Sequence, residues 1–467
     1  MEKVVNLLNQ WVWSTPLVVL CLVAALYFSL GTRFVQVRHF PEMLRLLFHR
    51  NREGDEGITS FQAFSLALSG RVGTGNIVGV ATAIGYGGPG AVVWMWIIAF
   101  LGAGTSFAES TLAQIFKESH GGELRGGPAY YIDKGLHCKP LAVMVALLAV
   151  VACGFFLPPV QSNSIALAFA SAFSMPPWII GLIVALLLGF VIVGGVTRIA
   201  NWAQVIAPLM AMLYVLLSLV ILALHITDVP AIFLQMVRCA FDVRGVTGGV
   251  LGITIAWGVK RGIYSNEAGQ GTGAIVSAAA KVDHPVMQGL VQSFSVYIDT
   301  LLVCTATAVM ILACGTFGPL FGEPGVEYTI AAVGTLVGSK AAAIIIGVAL
   351  FFFAFTTMMA YYYYAVTNIV YLAGKKKWER PLVWMLRAVI LFSVFYGSIH
   401  GSGYILQIGD IGVGSMAWIN IITILLLSPI VFRTLRSYEN QQHNQQPPHF
   451  DPKALGIKDA PFWDKSR

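Results

Sequence analysis

The chain has 467 residues, of which 57% are hydrophobic and only 11% are charged, and its mean hydropathy is +0.75. A water-soluble protein carries about 25% charged residues, so this composition excludes an ordinary soluble domain and indicates an all-α polytopic membrane protein. A formal net charge of +7 would suggest nucleic acid as a partner of a soluble chain. Here the cations lie between apolar runs, where they determine membrane topology instead.

About eleven apolar segments are long enough to cross a bilayer, at roughly 20 residues per crossing. The predicted spans cover residues 13–32, 61–85, 91–116, 141–170, 178–196, 201–225, 248–279, 286–314, 340–372, 382–398 and 411–432. The first of them is too long for a signal peptide and has no small-residue cleavage motif after it, so we expect it to be retained. The six cysteines form no CxxC motif, so neither a disulfide framework nor a metal site is expected.

Lysine and arginine are concentrated in alternate loops. The loop at 33–52 holds five arginines, and the loops at 117–139 and 375–380 on the same side are also basic. The positive-inside rule therefore predicts an N-terminus outside the cell and a C-terminus in the cytoplasm. The mixture of apolar residues and arginines at 33–52 is typical of a helix at the membrane interface. The tail from about 437, rich in Gln, Asn, His and Pro, is predicted to be disordered.

Two apolar stretches, residues 71–79 and residues 261–269, follow the same pattern Arg-x4-Asn-x2-Gly. Without the first span, five spans precede a connection at 226–246 and five follow it, and the pattern lies in the first span of each group. One of these spans runs outward and the other inward, as in the inverted repeats of secondary transporters. The predicted organisation is an extra N-terminal transmembrane helix with an interfacial helix (1–56), a first five-helix repeat (57–225), an external connection (226–246), a second five-helix repeat (247–436) and a cytoplasmic tail (437–467).

The polar residues inside these two segments favour a binding site. Around Gly73, Thr74, Gly75 and Asn76 the backbone can unwind, which exposes N–H groups suited to a carboxylate and carbonyls suited to Na⁺ or an ammonium group. Residues 265–267 (Ser-Asn-Glu) would form the facing wall. The alternative is that the glycines only permit close helix packing, which would explain the four-residue spacing of two of them but not the adjacent Arg, Thr and Asn.

Ionisable residues in or near the spans are costly unless they are paired, so they are candidates for function. Arg71, Glu267 and Asp299 are candidates for gating or coupling, and the alternative is that the buried charges pair with one another or reach towards the interface. Two further polar groups lie in spans. Residues 158–164 (Pro-Pro-Val-Gln-Ser-Asn-Ser) could line a site or bond to neighbouring helices. Thr356-Thr357 could bind a hard cation or bond back to their own helix.

The sequence resembles the alanine or glycine:cation symporter family. The resemblance lies in residues 69–79, in Tyr-Gly-Gly-Pro-Gly at 86–90, in residues 258–269, in His-Pro at 284–285 with Gln-Gly at 288–289, and in residues 298–305. It covers nearly the whole chain except the tail. It implies a leucine-transporter-like fold with an extra first helix, and Na⁺-coupled, sometimes H⁺-coupled, uptake of alanine, D-alanine or glycine.

The resemblance also implies roles for individual residues. Residues 73–76 would bind the substrate, with Asn76 at the position of a further sodium ligand in sodium-dependent members of the fold, while Arg71 stands where those members have a small residue. The substrate pocket would be lined by Gln161, Tyr264, Ser265, Thr357 and Tyr361. The sodium site would be formed by Ser69, Val72, Thr356 and Thr357.

The leading hypothesis is therefore a Na⁺-coupled symporter of small neutral amino acids in a bacterial inner membrane. Proton coupling through Glu267 or Asp299 is the alternative within the same class. An ion channel is a remote alternative, because channel filters are usually symmetric rings built by several subunits. No nucleophile elbow, HExxH or P-loop motif is present, so the sequence predicts neither an enzyme nor an ATP-driven pump. No cofactor and no obligatory protein partner are expected.

Overall fold

The computed structural model describes residues 2–48, 57–242, 249–318, 320, 322–374 and 377–464. Several cations of the topology argument, Arg50, Arg52, Arg244, Lys375 and Lys376, lie outside these residues. The described chain before residue 57 contains α1 (Glu2–Val12), α2 (Thr15–Gly31), α3 (Val35–Arg38) and α4 (Phe40–Leu47).

The first half continues with α5 (Ser60–Arg71), α6 (Val80–Gly87), α7 (Gly90–Ile115), the hairpin strands β1 (Glu118–His120) and β2 (Glu123–Arg125), α8 (Pro128–Gly135), α9 (Lys139–Val151), α10 (Pro158–Phe173), α11 (Pro177–Ile192) and α12 (Gly195–Leu224). The second half contains α13 (Val229–Ala240), α14 (Gly249–Asn266), α15 (Thr272–Ala279), α16 (Pro285–Val296), α17 (Thr305–Ala313), α18 (Val326–Val337), α19 (Ser339–Ala373), α20 (Glu379–Ile399), α21 (Ser402–Leu426), α22 (Ser428–His443) and α23 (Pro461–Asp464). Wide π-helical turns lie at Gly75–Gly79, Ala152–Phe156 and Tyr297–Cys304.

Each predicted span coincides with a helix or a helix pair. Among the described helices, eight are long and apolar enough to cross a membrane on their own. The spans at 61–85 and 248–279 fall outside that group because a break divides each of them, and α11 because it has 16 residues. The protein is thus a multi-pass helical membrane protein. The last predicted span, 411–432, is displaced in the structure, since α21 ends at Leu426 and a new helix begins at Ser428.

Both predicted breaks are present. A capping box starts α5, where Thr59 Oγ1 accepts from the Gln62 N–H at 3.1 Å and Gln62 Oε1 accepts from the Thr59 N–H at 3.0 Å. The helix ends at Arg71, and Val72 is extended. In the second break Glu267 has a φ of 57° and Gly271 a φ of 86°, values that no α-helix contains. The chain between α14 and α15 is therefore unwound.

The two broken helices lie antiparallel. At one end, the Ile58 N–H before α5 donates to the Ala279 carbonyl at the end of α15, at 3.0 Å. At the other end, Thr254 Oγ1 near the start of α14 donates to the Gly87 carbonyl that ends α6, at 2.8 Å. Helices in equivalent positions of the two halves also pack against each other: α7 on α16, α10 on α19 and α11 on α20. This pairing is what an inverted repeat predicts.

The structure adds detail to two predicted segments. The described part of 33–52 forms two short helices, of which α4 buries Met43, Leu46 and Leu47 while packing against α16 and leaves Phe40 and Leu44 exposed, so its location at the membrane interface stays a prediction. The described part of the connection at 226–246 contains the helix α13.

The tail after 437 is ordered rather than disordered. Its helical part, α22, is held to α3 and α4: Arg38 Nη2 of α3 lies 2.6 Å from Glu439 Oε1, and Tyr438 donates its hydroxyl to Glu42 Oε1 of α4 at 2.6 Å. His39 lies between Glu42 and Glu439. Burial lowers the pKa of His39, but the two carboxylates more than offset this and raise the pKa above its usual value. His39 therefore strengthens this contact most at acidic pH, and the contribution is lost as pH rises through that pKa.

The last turn of the chain is docked beside the second broken helix. Trp463 is buried and donates its indole N–H to the Gln114 carbonyl at 2.9 Å. The ammonium of Lys117 lies 4.3 Å from the ring centroid of Phe462 and donates to the Ala280 carbonyl at 2.9 Å. A few aromatic side chains thus fix a segment whose overall composition is typical of disorder.

We expect Trp463→Ala to release residues 445–464 from this face, because truncating a buried tryptophan removes about 3–5 kcal/mol of packing. Limited proteolysis of purified protein should then cut within the tail at least about tenfold faster than in the unmodified chain. Trp463→Phe keeps an aromatic ring and should lie between the two, while Lys458→Ala, at an exposed position, should change nothing. Equal cleavage rates for Trp463→Ala and Lys458→Ala would show that Trp463 does not hold the tail.

Candidate substrate and cation site

The first break exposes backbone N–H groups that side chains satisfy. The Gly73 N–H donates to Asn76 Oδ1 at 2.8 Å. The Thr74 N–H and hydroxyl both donate to Gln161 Oε1, at 3.0 and 2.7 Å. These N–H groups lie at the N-terminal end of the half-helix formed by residues 75–87, where the helix dipole favours an anion. The break is therefore a donor site suited to a carboxylate.

Gln161 reaches the break because α10 begins at a wide turn. Pro158 and Pro159 lack the N–H groups that would continue a regular ladder, and the Leu157 N–H bonds to the Ala152 carbonyl five residues back, at 2.9 Å. The other polar residues of this run have different roles: Ser162 and Ser164 bond to their own helix, and Asn163 donates to carbonyls next to α20. Of the candidate polar run, only Gln161 bonds to the break in the described structure.

Asp299 lies between the two broken helices. Its carboxylate accepts from Asn76 Nδ2 at 2.7 Å and from the Ser265 hydroxyl at 3.0 and 3.1 Å, and Thr300 donates to it at 2.7 Å. Asp299, Asn76 and Ser265 are each at most 1% exposed. The sequence marked Asp299 as a gating candidate, but the structure makes it the carboxylate that joins both breaks.

Cys304 is a neighbour that the sequence did not indicate. Its Sγ lies 3.3 Å from Asn76 Nδ2 and 3.2 Å from Ser265 Oγ. Asp299 and Cys304 are five residues apart in a π-helical turn, where residues i and i+5 are joined by a hydrogen bond and lie above one another. In a regular α-helix, five residues correspond to about 140° of rotation, so helical periodicity would have separated them.

The two tyrosines of the predicted pocket are buried on the α14 and α19 sides. The Tyr264 ring lies close to the break, since a Cβ added at Gly75 would be 3.3 Å from its Cδ1. Tyr361 is 3% exposed, and its ring centroid lies 6.0 Å from that of Tyr364. Tyr364 donates to Glu267 Oε2 at 3.2 Å, which places Tyr361 on the side of the second break.

Four oxygen atoms converge where α19 passes the first break, and a fifth, the Thr356 hydroxyl, is joined to them only through the Phe353 carbonyl. The Thr357 hydroxyl donates to the Ser69 carbonyl at 2.8 Å and lies 3.4 Å from the Val72 carbonyl. The hydroxyls of both Thr356 and Thr357 contact the Phe353 carbonyl, at 3.0 and 2.9 Å. Thr356 bonds otherwise only to its own helix among the described residues. Phe353 was not a sequence candidate, because a backbone carbonyl carries no side-chain signal.

Two further buried charges, Arg71 and Glu109, lie beside the broken helices. Arg71 donates to the Gln292 carbonyl at 3.1 Å and to the hydroxyls of Ser106 and Ser295, so it points away from the break towards α7 and α16. Glu109 accepts from the Gly271 N–H at 3.1 Å and so caps the N-terminus of α15.

Two further charges on α14, Lys260 and Arg261, pair with an acidic residue of α21. Both contact Asp410 Oδ2, at 2.7 and 2.6 Å. Asp410 lies just before the predicted span 411–432, and the displacement of that span places it within α21.

This site is closed in the structure. The side chains that bond across it, Thr74, Asn76, Gln161, Ser265 and Asp299, are each at most 1% exposed. They satisfy one another directly, so a ligand can enter only if these hydrogen bonds are exchanged for bonds to the ligand. The arrangement can bind and release a polar molecule.

The sequence comparisons point to one family of carriers. The model of the sodium:alanine symporter family matches residues 1–452. A putative sodium/proton-dependent alanine carrier protein of Bacillus subtilis is 51% identical over 479 residues, which cover 100% of this chain and 98% of that protein. A probable sodium/glutamine symporter of Bacillus subtilis is 39% identical, over 99% of this chain and 97% of that protein.

The structural comparison agrees on the fold. A Na⁺-coupled sialic acid symporter, solved in a substrate-bound outward-open state, matches with a TM-score of 0.52 at 11% identity and covers 98% of this chain and 96% of that one. The leucine-transporter-like fold expected from the sequence is thereby confirmed. The family model and the curated relatives both span nearly the whole chain. The chain therefore belongs to the sodium:alanine symporter family.

Proposed function

We propose that this carrier couples the entry of Na⁺ to the uptake of small neutral amino acids: alanine, D-alanine and glycine. Its family consists of carriers rather than enzymes. The proposal rests on one observation: at the first break, polar side chains form hydrogen bonds with unwound backbone. The Gly73 and Thr74 N–H groups, held by the side-chain oxygens of Asn76 and Gln161, lie on one side, and the oxygens around Thr357 lie on the other.

The substrate carboxylate would replace Asn76 Oδ1 and Gln161 Oε1 as the acceptor for the Gly73 and Thr74 N–H groups. The ammonium group would bind Asp299 and the Ser265 hydroxyl. Tyr264 and Tyr361 would limit the space for the substrate side chain. Both charged groups of a zwitterion are then matched by groups of opposite polarity, as a buried site requires.

Sodium would be held by the carbonyls of Ser69 and Val72 and the hydroxyls of Thr356 and Thr357, joined by the Phe353 carbonyl. Five neutral oxygens are a donor set suited to a hard cation. One Na⁺ entering down a tenfold gradient and ~100 mV releases about 3.7 kcal/mol, enough for roughly 500-fold accumulation of a neutral solute. A single ion is therefore sufficient to drive uptake.

Proton coupling is the second candidate. Glu267 and Asp299 are buried carboxylates near the breaks, and the named relative is a sodium/proton-dependent carrier. Uptake of radiolabelled alanine into proteoliposomes, with Na⁺ and H⁺ gradients imposed separately, decides between the two. Uptake driven by a pH gradient alone, and lost in Glu267→Gln, would favour the proton.

We place the carrier in the inner membrane of a bacterium, with the N-terminus outside and the C-terminus in the cytoplasm. The concentration of cations in alternate loops supports this orientation. Arg71 and Glu267 are proposed to take part in gating, because they lie where α5 and α14 end at the two breaks.

The first prediction concerns the ion. Thr357→Ala should raise the Na⁺ concentration for half-maximal alanine uptake by about tenfold or more, because it removes an oxygen ligand. Thr356→Ala should have a smaller effect, since that hydroxyl contacts only the Phe353 carbonyl of the set. Thr423→Ala removes a buried hydroxyl that bonds only to its own helix among the described residues, and it serves as the control. An unchanged sodium dependence in Thr357→Ala would remove the ion from this position.

The second prediction concerns the close approach of α19 and α10 to the break. A Cβ at residue 73 would lie 2.5 Å from Thr357 Oγ1 and 3.0 Å from Gln161 Oε1. Gly73→Ala should therefore reduce alanine uptake by about tenfold or more at normal membrane expression. A Cβ at residue 79 would lie 3.8 Å from the nearest atom, so Gly79→Ala, a matched change in the same broken helix, should keep most of its activity. Equal loss in both variants would indicate a general effect on the helix.

The third prediction concerns the substrate. Alanine, D-alanine and glycine should compete with radiolabelled alanine, whereas propionate and ethylamine should compete about 10- to 100-fold less well. Each lacks one charged group and leaves buried polar groups unpaired, at ~1–3 kcal/mol for each group. Leucine and glutamine should compete poorly because Tyr264 and Tyr361 restrict the pocket. Strong competition by glutamine would instead indicate a substrate range like that named for the probable sodium/glutamine symporter.

A further inference from the structure

A second polar cavity lies between α1, α14 and α21, away from the site described above. We call it the N-terminal cavity. Its volume is about 380 Å³, and the proposed orientation opens it to the outside. The residues that line it include Asn9, Trp13, Trp257, Lys260, Arg261 and Asp410. A volume near the lower end of the range for small-molecule sites suits a small ligand.

The charges in this cavity are only partly matched. Lys260 Nζ and Arg261 Nη2 share one oxygen of Asp410, Oδ2. The other oxygen, Asp410 Oδ1, has no hydrogen-bond partner among the described residues, and neither do Nε and Nη1 of Arg261. The side chains of Arg261 and Asp410 are 1% and 3% exposed. Buried charged groups without partners are costly, so a site that retains them is suited to a ligand that supplies the missing bonds.

The unmatched groups have opposite polarity. The guanidinium N–H groups of Arg261 suit a carboxylate, which they bind through paired hydrogen bonds, and Asp410 Oδ1 suits an ammonium group. Lys260 adds a donor close by, held at 3.2 Å from Asn9 Oδ1 and 5.3 Å from the Trp257 ring centroid. A simple anion would satisfy the arginine and leave Asp410 Oδ1 unmatched. A zwitterion would satisfy both.

The N-terminal cavity and the central site share a wall. Arg261 and Tyr264 are one turn apart on α14, and Arg261 Cζ lies 5.3 Å from the Tyr264 ring centroid. Gly409, next to Asp410, also approaches Tyr264, since a Cβ added there would be 3.2 Å from its hydroxyl. A ligand in the cavity would thus be separated from the central site by the Tyr264 side chain.

We propose that the N-terminal cavity is a second amino-acid site, which binds a small zwitterion on Arg261, Lys260 and Asp410 before it reaches the central site. The proposal rests on the proposed function, because it takes the carrier's own substrate as the ligand. Loading requires a small rearrangement of the cavity wall, since the unmatched atoms are buried in the closed structure.

The test is equilibrium binding of radiolabelled L-alanine to the purified full-length carrier. The unmodified protein should bind two molecules per chain. Asn76→Leu should remove the central site and retain one, and Lys260→Met should weaken the cavity site at least tenfold while retaining the central one. Lys260→Met leaves the Arg261–Asp410 pair balanced, and Lys260→Arg should restore binding. Lys340→Met removes a positive charge from an exposed position on the same proposed side and should leave both sites intact.

The outcomes separate the two proposals. A single site in the unmodified chain that Asn76→Leu abolishes would overturn the cavity site and leave the proposed function in place. No alanine binding at all would overturn both. If propionate or chloride alone displaces alanine from Asn76→Leu as effectively as alanine does, the cavity binds a simple anion and the assignment to a zwitterion is wrong. Thermal unfolding of each variant identifies any that fails to fold.

Discussion

The structure depends on one constraint: a backbone that unwinds inside a membrane must find partners for the N–H and C=O groups that leave the helix. At the first break Gln161, Asn76 and Thr357 supply these partners. Local features of the chain bring the side chains of Gln161 and Thr357 to the break. Gln161 follows a proline pair and a wide turn. Thr357 approaches because residue 73 has no side chain. The proposed site therefore consists of the groups that satisfy the unwound backbone, and in our proposal a substrate and an ion would take over the same bonds.

The second break obeys the same constraint with different residues. Glu109 caps the Gly271 N–H, Asn420 donates to both Glu109 and the Gly269 carbonyl, and Gln270 donates to the Ile263 carbonyl at 2.5 Å. Here a carboxylate holds the N-terminus of the half-helix permanently, whereas in the first break neutral amide oxygens do so. A neutral oxygen is more easily displaced by an anion than a buried carboxylate is. This difference is the reason that we propose the first break, rather than the second, for the substrate carboxylate.

The sequence was most informative where polar residues and glycines interrupt apolar segments. Arginine, asparagine and glycine in apolar runs located both breaks, and hydropathy located the helices. It failed where the deciding contact depends on three-dimensional geometry. Cys304 reaches Asn76 only because a π-helical turn changes its direction, and the Phe353 carbonyl has no side-chain signal. The tail was expected to be disordered from its average composition, but a few well-placed aromatic residues such as Trp463 are enough to dock it.

The wide turn at Tyr297–Cys304 has a mechanical consequence. Relative to an α-helix, a π-helical turn holds one additional residue, and converting it back would advance the following helix by about 1.5 Å and rotate it by about 100°. Because this segment also carries Asp299, any loss of the additional residue from the turn would withdraw its carboxylate from Asn76 and Ser265 together. As long as this wide turn persists, it therefore keeps α17 in the position in which Asp299 can bond to both broken helices.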